Sequence, residues 1–277
     1  MIAQTIAGDQ DNVIHVGGHS DSVAAGKFRS PTQPPKNKDN MLIITQGPGI
    51  NDNGSGTISI LEIAIQLTNF TINNAVRFSW WSAEEEGLLG ATYYVSTLSQ
   101  PELDKIRLFL DFDMMASPNY AYQIYDGDGS TFGESGPPGS AEAEAAFQNY
   151  FVNEAGLNYT SIEFDGRSDY GPFLAAGVAA GGIAAGAEGI KTVEEAKMFG
   201  GQAGIAYDVN YHAEGDNVGN LNMGCWIQMT KAIAHMTAIY ARSLDSLPPK
   251  SEAAKAKRME RARRGMSERA TGGLWGV

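Results

Sequence analysis

The run Arg77-Phe78-Ser79-Trp80-Trp81-Ser82-Ala83-Glu84-Glu85-Glu86-Gly87 decides how this chain reads. Its first half has the aromatic content of a buried β-strand. The strand stops at three consecutive carboxylates, and beyond Gly87 residues 88–98 read as a helix. Like charges at a strand end repel one another and lose hydration unless a cation or solvent compensates them. A solvated turn ahead of a helix accounts for them equally well, because acids favour a helix N-terminus. The neighbouring segments decide between the two.

Working outward toward the N-terminus, residues 12–17 form a short β-rich run that ends in Gly17-Gly18-His19-Ser20-Asp21. On an extended backbone His19 and Asp21 point to the same side, so a carboxylate can orient an imidazole there. An isolated H-x-D is equally compatible with turn chemistry. Residues 26–46 contain Pro31, Pro34, Pro35 and four basic residues without early periodicity, and read as a surface loop. The turn formers Gly47-Pro48-Gly49-Ile50-Asn51-Asp52-Asn53-Gly54-Ser55-Gly56 then open a helix over residues 57–70, with Ile58, Leu61, Ile65 and Leu67 at helical spacing. The turn has no lysine and is not a phosphate-binding P-loop; a rigidly held Asp52 suits a metal better.

Toward the C-terminus, residues 107–115 read as a second buried strand carrying Asp111 and Asp113, charges that call for a metal or a paired base. Further strands are expected at 122–125 and 160–164, and helices at 141–155 and 222–243. Residues 166–173 read as a loop entering a helix, with Ser168 as its cap. Tyr211-His212 lies in a polar loop before Asp216-Asn217, while His235 reads as a packing residue and Glu86 as a solvated one. Alternating strands and helices give an α/β fold with a largely parallel sheet. Ligands of such sheets gather beyond the carboxyl ends of strands, where His19, Glu84, Glu85 and Asp113 fall.

The 277 residues suffice for one large domain or two small ones. No run of 18 apolar residues suggests a membrane span, and the first residues lack the pattern of a signal peptide. A single cysteine, Cys225, excludes an intrachain disulfide and a cysteine-based zinc site. The net charge is −12, yet residues 250–269 carry +5, which leaves about −17 on the remainder. That balance argues against nucleic acid and suits multivalent cations or a cationic ligand. Residues 246–277 read as a basic, solvated tail.

Two of the four histidines sit in glycine-rich or polar loops beside acids, which assembles His19, Asp52, Glu84, Glu85, Asp113 and His212. Nitrogen and carboxylate ligands without sulfur suit zinc, and also manganese or cobalt. The set exceeds what one tetrahedral ion needs and fits a two-metal hydrolytic site with a spare glutamate as general base.

Six blocks, G-G-H-S-D-S-V, G-P-G-I-N-D-N-G-S-G, W-W-S-A-E-E-E-G, F-D-M-M-A-S-P-N, D-G-R-S-D-Y-G-P-F and Y-H-A-E-G-D-N, resemble in order those of the M28 family of zinc aminopeptidases, especially its secreted bacterial and fungal leucine-type members. The resemblance spans residues 1–245. It implies a three-layer α/β/α sandwich with a mixed, mostly parallel sheet (the zinc exopeptidase fold), two zinc ions, and release of N-terminal residues from peptides. By resemblance His19 and Asp113 hold one zinc, Glu85 and His212 the other, and Asp52 bridges. Glu84 matches the general base acting on a metal-bridging water, Asp21 the residue orienting His19, and Tyr211 a stabiliser of the oxyanion. Arg167 and Asp113 fall near the place that holds the substrate's α-amine. Secretion or a vacuolar location and a monomeric state are implied on the same ground.

Departures accompany the likeness. Asn210 and Gly215 stand where relatives often have a disulfide, and the opening strands of the catalytic domain are expected to be missing before Met1. Ala184 stands where relatives carry a bulkier pocket residue, which points to a wider site. Removing residues 27–46 restores an uninterrupted family block, so this insertion is either a lineage-specific loop or a translated intron. A single-zinc glutaminyl cyclase and an inert scaffold stand as alternatives. Asn53, Asn69 and Asn158 head N-x-[ST] triplets, of which Asn53 lies inside the metal turn and is a poor glycan acceptor.

Overall fold

The computed structural model describes residues 1–23 and 47–249. The inserted segment 27–46 falls outside them, as does the tail from residue 250 onward. The strands are β1 (Ile2–Gln4), β2 (Asp9–His19), β3 (Asn74–Trp81), β4 (Ile106–Phe112), β5 (Gln123–Tyr125), β6 (Thr160–Ile162) and β7 (Ala180–Ala184). The helices are α1 (Gly54–Leu67), α2 (Leu89–Thr97), α3 (Gln100–Lys105), α4 (Ser140–Asn149), α5 (Tyr170–Ala175), α6 (Val193–Phe199) and α7 (Met223–Arg242). One seven-stranded sheet has the order β1-β3-β2-β4-β7-β5-β6. Its pairings are parallel except β1 with β3 and β5 with β7, so the sheet is mostly parallel, as the alternation of elements predicts, and mixed, as the family resemblance implies.

Central strands buried on both faces explain the continuous apolar runs. Toward one face Ile14, Val16, Phe78, Leu108 and Leu110 meet Ile60 of α1, Phe147 of α4 and Met229 of α7. Toward the other, Trp81 and Phe109 meet Ala91 of α2, Leu103 of α3 and Phe173 of α5. This gives three layers. His15 is fully buried in the second cluster among Trp81, Tyr94, Phe109 and Phe173, and its Nε2 lies 2.6 Å from Ser79 Oγ. Burial, with a lesser push from Arg77, holds its pKa well below the ordinary value, so it packs as a neutral ring.

Two local readings change. Ile58, Leu61 and Ile65 point outward on α1, and the face turned to the sheet is instead Ser55, Gly56, Ser59, Ile60 and Ile63. The reason is close approach: a Cβ on Gly56 would lie 2.2 Å from the carbonyl oxygen of Phe112. Ser168 does not cap α5; Asp169 occupies the cap position without a side-chain cap bond.

The register brings the site together. His19 pairs with Trp81 across β2 and β3, and Gly17 with Asp111 across β2 and β4. The carboxyl ends of three adjacent parallel strands are therefore level, and the loops leaving them carry Glu84, Glu85 and Asp113 to the side of His19.

Candidate active site

His19 is the last residue of β2 and 1% exposed. Its position depends on the glycines before it, since a Cβ on Gly18 would come 2.6 Å from the Phe112 carbonyl oxygen. Ring nitrogen Nδ1 lies 3.2 Å from the backbone carbonyl oxygen of Asp21, which as acceptor selects the Nδ1–H tautomer and turns Nε2 toward the acids. Nε2 lies 3.2 Å from Asp113 Oδ1, 3.3 Å from Asp52 Oδ1 and 4.0 Å from Glu84 Oε2. On the other side, His212 Nε2 lies 3.0 Å from Asp52 Oδ2 and 3.0 Å from Glu85 Oε2. Asp52 thus stands between two histidine–carboxylate pairs, one oxygen toward each.

The backbone that carries these groups is held by other acids. The Asp21 carboxylate accepts from the peptide N–H groups of Glu84 and Glu85 at 3.1 and 3.3 Å, and lies 3.9 Å from the His19 ring. Asp216 accepts from the N–H groups of Asn51 and Asp52 at 2.8 and 3.0 Å, gripping the turn that presents Asp52. Ser168 donates to Asp113 Oδ2 at 3.0 Å. The sequence reading gives Asp216 no role and takes Ser168 only for a helix cap, although both lie inside the motif blocks. Among the described residues, every non-glycine residue with left-handed φ (Ala83, Leu88, Met114 and His212) adjoins or belongs to a site-bearing loop. Such strain costs on the order of 1–3 kcal/mol per residue and gathers where a scaffold fixes functional geometry.

The electrostatics are those of crowded acids around two imidazoles. Burial would lower the pKa of His19, but Asp113 and Asp52 raise it well above the ordinary value. Burial opposes His212 likewise, and Asp52 and Glu85 push it up to about 9. Asp52 is driven the other way: despite its burial, contacts with both rings hold its carboxyl well below the usual range. Burial and the charges of Asp113, Glu85 and Asp52 push Glu84 up to about 8. Burial also raises Glu85.

Two groups of ligating atoms lie within 4.8 Å of one another, His19 with Asp52 and Glu85, and His19 with Glu84 and Asp113. Asp52 Oδ2 and Glu85 Oε1 are buried without an aligned hydrogen-bond donor, even though His212 stands close to both carboxylates. Donors of nitrogen and oxygen, with orphaned carboxylate oxygens between them, fit zinc. Glu86 is exposed and outside the cluster. Asn53 is fully buried and donates to the Phe112 carbonyl, so the turn that carries Asp52 is closed to glycosylation.

A cavity of about 1070 Å³ opens over the cluster, with Leu88, Met114, Phe132, Ile162 and Ala184 on its walls. The ring of Tyr211 stacks on that of His212 at 3.7 Å, and its hydroxyl accepts from Arg167 at 3.3 Å. Arg167 also pairs with Glu188 at 2.9 Å. Burial raises the Tyr211 pKa, with Asp52 adding to it, so the phenol keeps its proton.

Comparison with known proteins bears on this arrangement. Leucine aminopeptidase 2 of Arthroderma otae is 51% identical over 255 residues, covering 92% of this chain and 47% of that protein. Probable leucine aminopeptidase 2 of Aspergillus fumigatus is 49% identical over 275 residues, 99% of this chain and 50% of that protein. The chain spans about half the length of these curated relatives. Among solved structures, BSAP, a zinc aminopeptidase from Bacillus subtilis, superposes with a TM-score of 0.62 at 22% identity, covering 91% of this chain and 51% of that one. LapA of Legionella pneumophila gives 0.61 at 17% identity, covering 84% and 54%. Residues 1–237 match the profile of peptidase family M28. The sheet, the level strand ends and this match agree: the chain belongs to peptidase family M28.

Proposed function

We propose that the chain carries a two-zinc aminopeptidase site that releases N-terminal residues from peptides. One observation carries the reading: Asp52 lies between the His19–Asp113 and His212–Glu85 pairs, with Glu84 4.0 Å from His19 at the floor of an open cavity. His19 and Asp113 would hold one ion, Glu85 and His212 the other, and Asp52 both. Bound zinc would polarise the scissile carbonyl and make a water acidic enough to attack near neutral pH.

The remaining work falls to the chain. Glu84 takes a proton from the attacking water and returns it to the departing amine, a task open to a carboxyl that stands outside both ligand pairs and lines the same cavity. The protonated phenol of Tyr211 faces the same cavity and donates to the oxyanion that forms on the carbonyl. Arg167 fixes that phenol and lines the path to the site. A protonated α-amine would be held beside Asp113 and the Arg167 region, and this selects chain ends over internal bonds. The small Ala184 leaves room for a bulky N-terminal side chain. An extracellular or vacuolar setting and a monomeric state belong to the same proposal.

Metal content and hydrolysis of aminoacyl-anilides, before and after chelation, test it. Two zinc ions per chain with chelator-sensitive release from free, but not N-acetylated, substrates is the expected result. One zinc with pyroglutamate formation from N-terminal glutamine would assign a cyclase instead, and no turnover of either substrate would indicate an inert scaffold.

A further inference from the structure

Part of the cavity wall is a cross-strand row. Gln123 of β5 pairs with Ala184 of β7 on one side and with Thr160 of β6 on the other, and all three line the cavity. Directly paired residues turn their side chains to the same face of a sheet. The Ala185 N–H donates to the Met114 carbonyl at 2.8 Å, so the row adjoins the strand end that carries Asp113. Behind it a network fixes how the Gln123 amide is turned. Glu195 Oε2 accepts from the N–H and the hydroxyl of Thr192 at 2.8 and 2.9 Å, and its Oε1 accepts from the Tyr207 hydroxyl. Burial, and after it the Glu195 carboxylate, raises the Tyr207 pKa, so the phenol keeps its proton and gives it to Glu195. The phenol oxygen is left to accept, and the Gln123 amide N–H group donates to it. An amide turned that way presents its carbonyl oxygen to the other side. Gln123 is only 6% exposed, and its Oε1 is buried without a hydrogen-bond partner among the described residues. A buried acceptor without a donor is costly, and a ligand that brings the donor removes the cost.

We propose that Gln123 is a specificity-determining residue: its Oε1 accepts a hydrogen bond from the tip of the substrate's N-terminal side chain. The site thereby favours a long, neutral residue that ends in an O–H or N–H donor, tyrosine foremost, over an apolar residue of the same length. The inference rests on the aminopeptidase reading above and adds a side-chain preference to it. Ala184 leaves the space for the ring, and Gln123 supplies the partner for the hydroxyl. A cationic tip would find no free carboxylate in this row, because Glu195 is committed to Tyr207 and Thr192. An apolar tip would leave Oε1 enclosed without a donor, the asymmetry by which polar sites reject analogues that lack the polar group.

The test compares anilides of leucine, phenylalanine, tyrosine and O-methyltyrosine on the zinc-saturated full chain. Leucine turnover reads the aminopeptidase activity, and the ratios among the other three read Gln123. Tyrosine should exceed phenylalanine in kcat/KM by about tenfold. O-methylation removes the donor while keeping the oxygen, and should bring turnover back to the phenylalanine level or below; this comparison needs no variant. Gln123→Met keeps the length of the side chain without the acceptor, and should reduce the tyrosine-to-phenylalanine ratio to about one. Calorimetric titration with tyrosinol and phenylalaninol, which carry the free amine but no scissile bond, should give the same ratio in Kd and the same loss in the variant. Absence of leucine turnover would sink the aminopeptidase reading, while the titrations would still decide the role of Gln123. Equal affinity of the wild type for tyrosinol and phenylalaninol, or a preference that Gln123→Met retains, would overturn that role.

Discussion

Adjacent residues at one strand end are given different work by the direction of their side chains. Glu85 lies 3.0 Å from His212, whereas Glu84 faces His19 and Asp113 from the opposite side, and Glu86 turns to solvent. The sequence made the cluster legible because each acid or histidine sat in a loop where an unpaired charge lacked another explanation. What it left hidden was the support. Asp216 reaches the Asn51 and Asp52 peptides from a segment 164 residues away, and no local pattern reports such a contact. Asp216→Asn should weaken zinc binding by roughly 10–100-fold while leaving the helical signal unchanged, since it loosens a ligand without removing one; competition against a chromogenic chelator measures it. The titrations make a second prediction. His212, raised to about 9, contributes stability to the metal-free chain below its ordinary pKa, and that contribution is lost as pH rises through about 9. Glu84, raised to about 8, holds a proton in the fold that the unfolded chain has released, so stability also falls as pH rises from its ordinary 4.5 toward 8. The chelated chain should therefore unfold at lower temperature as pH climbs from 5 to 9. Zinc uptake displaces those protons, so the stabilisation that zinc adds should grow over the same interval. Parallel thermal scans with and without chelator read both slopes.

At the level of elements, sequence pattern located β2 to β6 and α1, α2, α4, α5 and α7 but not the short β7, α3 and α6, and contact geometry decided which face was buried. The apolar positions of α1 at helical spacing suggested an inward stripe, yet Ile58, Leu61 and Ile65 are exposed because Ser55 and Gly56 let the helix lie against the end of β4. Ser168 looked like a helix cap because serine before a helix usually is one; here its hydroxyl is drawn to Asp113 instead. The glycines preceding His19 behave similarly, serving close approach of the strand to its neighbour. Gly18→Ala places a methyl 2.6 Å from a backbone oxygen that cannot swing aside. A loss of about 1–3 kcal/mol is expected in urea unfolding of the zinc-loaded chain. The same loss should appear in the metal-free chain, since the clash belongs to β2 and β4 rather than to the ligands.

For the molecule as a whole, fold class was legible because strand–helix alternation and doubly buried apolar runs admit few architectures. The two antiparallel pairings, by which β1 meets β3 and β5 meets β7, left no signature in composition and emerged only from the assembled sheet. Level ends of β2, β3 and β4 convert that sheet into a platform where residues from positions 19 to 212 meet. The central claim is that this platform holds metal with Glu85 and moves protons with Glu84. Zinc content and aminoacyl-anilide turnover, measured together on the wild type, Glu84→Gln and Glu85→Gln, test it most directly. The account predicts that Glu84→Gln keeps the wild-type zinc content and loses turnover by about 10²–10⁴-fold, while Glu85→Gln binds zinc more weakly. Loss of zinc from Glu84→Gln, or full turnover by it, would contradict the account.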